Sequence, residues 1–298
     1  MEYHLPVLLK ESVEGLNINP NGVYVDLTFG GGGHSREILK KLDTGILLGF
    51  DQDADAKKNA IESENFIFVH SNFKFLKNYL KYYGYTKVDG ILADLGISSH
   101  HINMPERGFS FRFDAPLDMR MNQKARISAQ NVINDYPEEK LYKIFREYGE
   151  LESVGKIVKT IVSERQKTQI STTFQLVDVL NHLLPRNKEH KFLAQIFQAI
   201  RIEVNSEITV LKEMLEQVGD VLNTNGRLSI ISYHSLEDKL VKNFIKSGNI
   251  NGEIEKDYFG NITKIFEPIN KKIIAPSDEE ISVNNRARSG KLRIAKKL

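Results

Sequence analysis

The chain has 298 residues, 41% hydrophobic and 27% charged, a balance typical of folded proteins and long enough for one large domain or two smaller ones. It contains no cysteine, which excludes disulfides, thiolate metal sites and cysteine nucleophiles. The formal net charge of +2 says little by itself about nucleic acid, and neither a leader-like start at Met1–Lys10 nor a membrane-spanning apolar run is present, so the expectation is a cytoplasmic chain with no membrane partner.

Val23, Val25 and Leu27 predict a first buried strand. It runs into Gly30-Gly-Gly-Gly33 and then a helix carrying Ile38, Leu39 and Leu42, with Ser35 as its expected N-cap. Glycines at a strand-to-helix turn tolerate positive φ and let backbone approach a ligand, and the N–H groups at a helix start favour a polar or anionic edge. Ile46, Leu47 and Leu48 predict a second strand ending in Gly49-Phe-Asp51. A carboxylate about 20 residues past such a turn is where nucleotide folds hold ribose hydroxyls. The G-x-G-x-x-G spacing of dinucleotide sites is missing, because position 35 is serine. A ligand with ribose but no pyrophosphate fits better, and S-adenosylmethionine is one.

Asn65–His70 predicts a third strand, and Leu76, Tyr79, Leu80 and Tyr83 a helix after it. Val88–Asp94 predicts a fourth strand that ends in an acid. Repeated strand–helix units argue for a doubly wound parallel sheet, whose ligands lie beyond the strand C-terminal ends. Gly30–His34, Asp51, Phe73 and Asp94 all fall at such ends. The period is lost from Leu95 to Met121, where Phe109, Phe111 and Phe113 alternate as on one face of an extended segment, either covering the core or contacting a base or cofactor.

Helical stripes then take over: Leu141/Ile144/Phe145/Tyr148, Val154/Ile157/Val158/Ile161/Val162, Val177/Leu180/Leu184 before Pro185, and Leu193/Ile196/Phe197/Ile200. Such faces need one another, so residues 125–204 are expected as an all-helical subdomain inserted into a sheet domain made of 1–124 and 205–298. The sheet pattern resumes with a helix over 208–222, a turn at Asn225-Gly226, a fifth strand at Arg227–Ser232 and a helix carrying Leu240, Val241 and Phe244. A short strand is expected over Ile262–Ile265. The last thirteen residues, with six basic and no acidic side chains, read either as a solvated tail or as a site for phosphates.

Several ordered motifs resemble the MraW/RsmH family of bacterial methyltransferases: His4-Leu-Pro-Val-Leu-Leu9, Asp26-Leu-Thr-Phe-Gly-Gly-Gly-Gly-His-Ser35, Asp89-Gly-Ile-Leu-Ala-Asp-Leu-Gly-Ile-Ser-Ser99, Arg107-Gly-Phe-Ser-Phe111, Pro116-Leu-Asp-Met-Arg-Met121, Phe197-Gln-Ala-Ile-Arg-Ile-Glu-Val-Asn205, Gly226-Arg-Leu-Ser-Ile-Ile-Ser-Tyr-His-Ser-Leu-Glu-Asp238 and Asn285-Arg-Ala-Arg-Ser-Gly-Lys-Leu-Arg293. The resemblance implies an α/β, Rossmann-like class I S-adenosylmethionine-dependent methyltransferase sheet with a helical insertion, acting on the exocyclic N4 of a cytidine in 16S ribosomal RNA of the small subunit. It implies cofactor contacts at Gly32, Gly33, His34, Asp51, Phe73 and Asp94, with His101 standing where the family has glutamine. No metal is implied, and the oligomeric state stays open, a homodimer included. Asp94 is a candidate acceptor for the amino hydrogen or a cofactor ligand only, since no Asn/Asp-Pro-Pro-aromatic motif follows the fourth strand. Arg286, Arg288, Lys291 and Arg293 are candidate RNA contacts. A nicotinamide-dependent oxidoreductase and a non-catalytic RNA-binding assembly factor are the alternatives from other classes.

Overall fold

A computed structural model describes residues 6–254, 258 and 264–298. In chain order its first part holds α1 (Leu9–Gly15), β1 (Val23–Asp26), α2 (Gly33–Leu39), β2 (Ile46–Asp51), β3 (Phe66–His70), α3 (Leu76–Tyr82) and β4 (Val88–Asp94). Six helices follow: α4 (Ser99–Asn103), α5 (Ala129–Asp135), α6 (Glu138–Glu147), α7 (Val154–Arg165), α8 (Thr173–Leu180) and α9 (Glu189–Asn205). The last part holds α10 (Glu207–Val221), β5 (Leu222–Ser232), α11 (Ser235–Ser247), β6 (Phe266–Pro268), α12 (Asp278–Val283) and β7 (Lys291–Lys297). The expected strand at Ile262–Ile265 begins outside the described residues. Among those described, no helix is long and apolar enough to cross a membrane.

The chain divides into two compact units, Met1–Gly96 with Ile208–Leu298, and Ile97–Glu207. The first is built on a seven-stranded sheet of order β3-β2-β1-β4-β5-β7-β6 among the described residues. β1 to β5 pair in parallel, with Val25 opposite Leu48 on one side and Ile91 on the other. β7 runs antiparallel to both β5 and β6. Successive side chains of these strands serve opposite faces. Tyr24, Leu47 and Leu92 pack with Val13 of α1 and Ile38 of α2. Val25, Leu48 and Ile91 pack with Leu76 and Leu80 of α3, Met214 of α10 and Phe244 of α11. Burial on both faces explains why these strands read as nearly continuous apolar runs. This is the Rossmann-like doubly wound α/β fold.

The second unit has its own core, in which Leu141, Ile144 and Phe145 of α6, Ile157, Val158 and Ile161 of α7, Leu176 and Leu180 of α8, and Ile196, Phe197 and Ile200 of α9 are buried together. α5 adds Val132 and Ile133. The start of this unit differs from the expected break at 124/125. Phe109, Leu117, Met119 and Met121 belong to the helical core, and polar bonds pin the segment that carries them. Asn205 at the end of α9 donates to the Met119 carbonyl at 2.8 Å and accepts from Met121 N at 2.8 Å. The buried guanidinium of Arg107 donates to the carbonyls of Arg120 and Met121. The aperiodic stretch is therefore the front edge of the helical unit. Its three phenylalanines do not share one environment: Phe109 is buried, Phe111 packs edge-on against Phe197 at 5.4 Å, and Phe113 is exposed.

Candidate active site

In the sheet unit the expected ligand residues lie at the C-terminal ends of the strands around β1 and β4, the switch point of strand order 3-2-1-4. β1 ends at Asp26 and the chain turns through Gly30 and Gly32, whose φ values of 51° and 76° lie in the left-handed region that favours glycine. A Cβ on Gly32 would strike the Phe29 ring and the Arg36 guanidinium. At Gly30 the nearest atom to such a Cβ is the Thr28 carbonyl at 3.9 Å, so this glycine opens onto space that a side chain would fill. α2 starts at Gly33 with Gly32 as its N-cap.

Ser35 is thus not the cap that the sequence suggests. It sits inside the first turn, buried, and its hydroxyl donates to Asp26 Oδ2 at 2.7 Å. Thr28 N donates to Asp26 Oδ1 at 3.1 Å. Fully buried, Asp26 has its pKa pushed up to about 6, burial outweighing the Ser35 and Thr28 hydrogen bonds. This carboxyl ties the glycine turn to its strand, a role that sequence reasoning missed.

Asp51, at the end of β2, accepts from Gly30 N through Oδ2 and from Asp53 N through Oδ1, each at 2.8 Å. The carboxylate expected to hold a ribose is therefore bonded directly to the glycine turn. Phe73 follows β3 in a short turn capped by Asn72, packed partly against the core. The Asn72 side chain donates to Gln52 Oε1 at 2.7 Å, which joins the loops after β3 and β2. His34 is buried, with Nε2 3.2 Å from the Val7 carbonyl. Burial lowers its pKa, opposed by the charge of Asp94.

Asp94 ends β4, and its N–H donates to Thr28 Oγ1 at 2.6 Å, fixing it beside the turn. Its Oδ1 accepts from the Tyr233 hydroxyl at 2.7 Å. Burial pushes its pKa up to about 6 against the opposing effects of His34 and Tyr233, with Asp26 and Glu237 raising it further. Tyr233 and Glu237 are the second pair that the sequence did not assign. The available signal was a run of polar residues, Tyr233-His-Ser235, directly after a buried strand.

The structure brings Gly30–His34, Asp51 and Asp94 together through these bonds and sets Phe73 at the next strand end. His101 belongs to the helical unit, where it is the third residue of α4. There it forms a capping box with Ser98 and its ring lies 4.8 Å from that of Phe109.

The C-terminal basic residues are not a tail. Arg286 and Arg288 sit in a short 3-10 turn, Asn285–Ser289, and Lys291 and Arg293 lie on β7 opposite Ser232 and Ile230 of β5. Arg293 donates to both oxygens of Asp238 on α11, at 2.7 and 3.1 Å, so its planar fork already holds a carboxylate. Arg288 is exposed and Lys291 partly so.

The MraW methylase family model matches residues 1–298. The chain is 59% identical over 299 residues to a ribosomal RNA small subunit methyltransferase H from Christiangramia forsetii, covering 100% of this chain and 99% of the relative. It is 55% identical over 299 residues to the protein of the same name from Flavobacterium johnsoniae, with 100% and 99% covered. Among solved structures, an rRNA methylase from Streptococcus thermophilus aligns over 97% of this chain and 93% of its own at 13% identity and a TM-score of 0.41, too distant to add to the topology already described.

Proposed function

The chain belongs to the MraW methylase family, and on that premise we propose that it is an S-adenosylmethionine-dependent methyltransferase acting on the exocyclic N4 of a cytidine in 16S ribosomal RNA. The observation that carries the cofactor reading is the bond from Gly30 N to Asp51 Oδ2. It joins a left-handed glycine turn with open space above it to a strand-end carboxylate, which suits a ribose-bearing ligand that lacks a pyrophosphate. Gly32, Gly33, Asp51, Phe73 and Asp94 would hold the cofactor, with His34 supporting the turn from within. When bound, the cofactor supplies an electrophilic methyl group on a sulfonium, so the chemistry needs no covalent enzyme intermediate.

The chain's own part is alignment and proton handling. A cytosine amino group is a weak nucleophile because its lone pair is delocalised, and positioning can supply about 7–11 kcal/mol of the barrier. Asp94, ionised above about pH 6, accepts the hydrogen of that amino group and takes the proton that the nitrogen gives up. Its backbone bond to Thr28 holds the carboxyl next to the cofactor turn.

The helical unit is the proposed site of substrate recognition, with Arg288 and Lys291 of the sheet unit as phosphate contacts. Arg286 is the next in order, and Arg293 the least suited because Asp238 holds it. The proposed substrate is 16S ribosomal RNA in the small ribosomal subunit, and the proposed compartment is the cytoplasm. Transfer of labelled methyl from S-adenosylmethionine to small subunits, followed by nucleoside analysis, tests this reading. N4-methylated cytidine supports it, and label in any other nucleoside overturns it.

A further inference from the structure

The phenol of Tyr233 has no part in the function proposed so far, yet it is held with care. Asp94 on β4 stands in register with Ile231 on β5, and Leu95 N continues the pairing to the Ile231 carbonyl at 3.0 Å. Tyr233 leaves β5 two residues later, so the two side chains meet where adjacent strands end. Its ring packs on the cluster of Val7, Leu8 and Ile231. Its N–H donates to Glu237 Oε2 at 3.0 Å, and the other Glu237 oxygen lies 3.1 Å from His234 Nε2. Gly96, at φ 94°, passes beside the ring, where an added Cβ would come 3.5 Å from Tyr233 Cδ2. The hydroxyl is thereby aimed at one oxygen, Asp94 Oδ1.

We propose that Tyr233 is a positioning residue for methyl transfer, its hydroxyl fixing Asp94 through Oδ1 and so presenting Oδ2 to the hydrogen of the target amino group. The proposal rests on the reading of Asp94 as the acceptor. Burial first, and the Asp94 charge second, raise the phenol's pKa well above its ordinary value, so it remains a donor throughout. The nitrogen gains the methyl group and loses one proton, which passes to Oδ2 and on to solvent, while the phenol keeps its own. The groups that face Asp94 are His34 from α2, Asp26 from β1, Glu237 from α11 and Tyr233 itself. A hydrogen bond to the charged form favours that form. Removing the phenol hydroxyl therefore lets Asp94 protonate at higher pH.

The test is Tyr233→Phe, which keeps the ring and its packing. Single-turnover methylation at saturating S-adenosylmethionine is followed across pH, beside the carboxyl titration of Asp94 in ligand-free protein by carbon NMR, with the signal assigned by its loss in Asp94→Asn. The expected result is an acid limb and a titration midpoint both raised by about one pH unit, a roughly fivefold slower reaction at pH 6, and a rate near wild type at pH 9. Superimposed limbs and midpoints, or a rate lowered equally at every pH, would overturn the proposal. If Asp94→Asn itself keeps the wild-type rate and limb, the acceptor reading falls and takes the proposal with it. If Asp94→Asn abolishes turnover while Tyr233→Phe moves neither profile, only the role of Tyr233 falls.

Discussion

Asp51 and Asp94 are legible in the sequence as strand-end acids, because strand ends are visible there and acids at them are conspicuous. Asp26 was equally visible, but its meaning depends on Ser35 closing over it, a contact that strand and helix patterns do not encode. Tyr233 lies 139 residues from Asp94, and only the sheet register reveals their meeting. Two predictions belong to this scale. Asp51→Ala removes a charged acceptor from the proposed ribose site and should weaken cofactor binding by about 1.5–3 kcal/mol, more than tenfold. Calorimetry checks it, and an unchanged dissociation constant ends the assignment. Asp26 concerns stability. Its pKa is raised in the folded state, so between about pH 4 and 6 the native protein holds the proton that the unfolded chain has released, and this group's contribution falls as pH rises through that window. Keeping it ionised above the window costs about 3 kcal/mol for a rise from 3.8 to about 6. Asp26→Asn should thus gain stability relative to wild type on going from pH 4.5 to 7.5 in urea unfolding. A difference between the two proteins that does not change with pH would contradict the sign.

At the scale of elements, the strands β1 to β4 are readable from apolar runs, whereas the start of α2 and the strand β7 are not. α2 begins two residues before Ser35 because a left-handed glycine, with no side chain to advertise it, serves as its cap. The basic C-terminus concealed β7. Its alternation of Leu292 and Ile294 with Lys291 and Arg293 is a period-two signal, masked by a charge density that reads as solvated tail. Ile294 packs so closely on α1 that a Cβ at Gly15 would meet its side chain at 2.5 Å. The element therefore makes opposite predictions for its neighbouring cations. Arg293→Ala leaves a largely buried Asp238 without its fork and should lower stability by about 1 kcal/mol after allowance for its partial exposure. Arg288→Ala with Lys291→Ala should leave the melting temperature alone and flatten the salt dependence of binding to small-subunit RNA by about one to two units of slope. Equal salt slopes for wild type and the double variant would remove the two residues from the RNA surface.

For the molecule as a whole, the alternation of strands with helices and then a run of helices alone predicts two parts, and the chain divides into two compact units. The position of the first boundary was not foretold. Residues 97–124 have no period because their job is to be pinned by Arg107 and Asn205 at the edge of the helical core. Polar side-chain-to-backbone bonds of that kind leave no hydrophobic pattern. The unit also carries ion pairs, Arg120 with Asp118 and Arg201 with Glu207, so these motif residues have structural partners. The proposed chemistry lies instead at the sheet's strand ends, with Asp94 at its centre. The most direct measurement is single-turnover methylation by Asp94→Asn at saturating S-adenosylmethionine, beside cofactor affinity measured separately. The substitution keeps the shape and one carbonyl oxygen but removes the anionic acceptor, an interaction that strengthens only in the transition state. The expected result is a rate lower by roughly a hundredfold or more with affinity changed only a few-fold. A rate restored to near wild type once the cofactor is saturating would contradict it, and would leave Asp94 as a cofactor ligand alone.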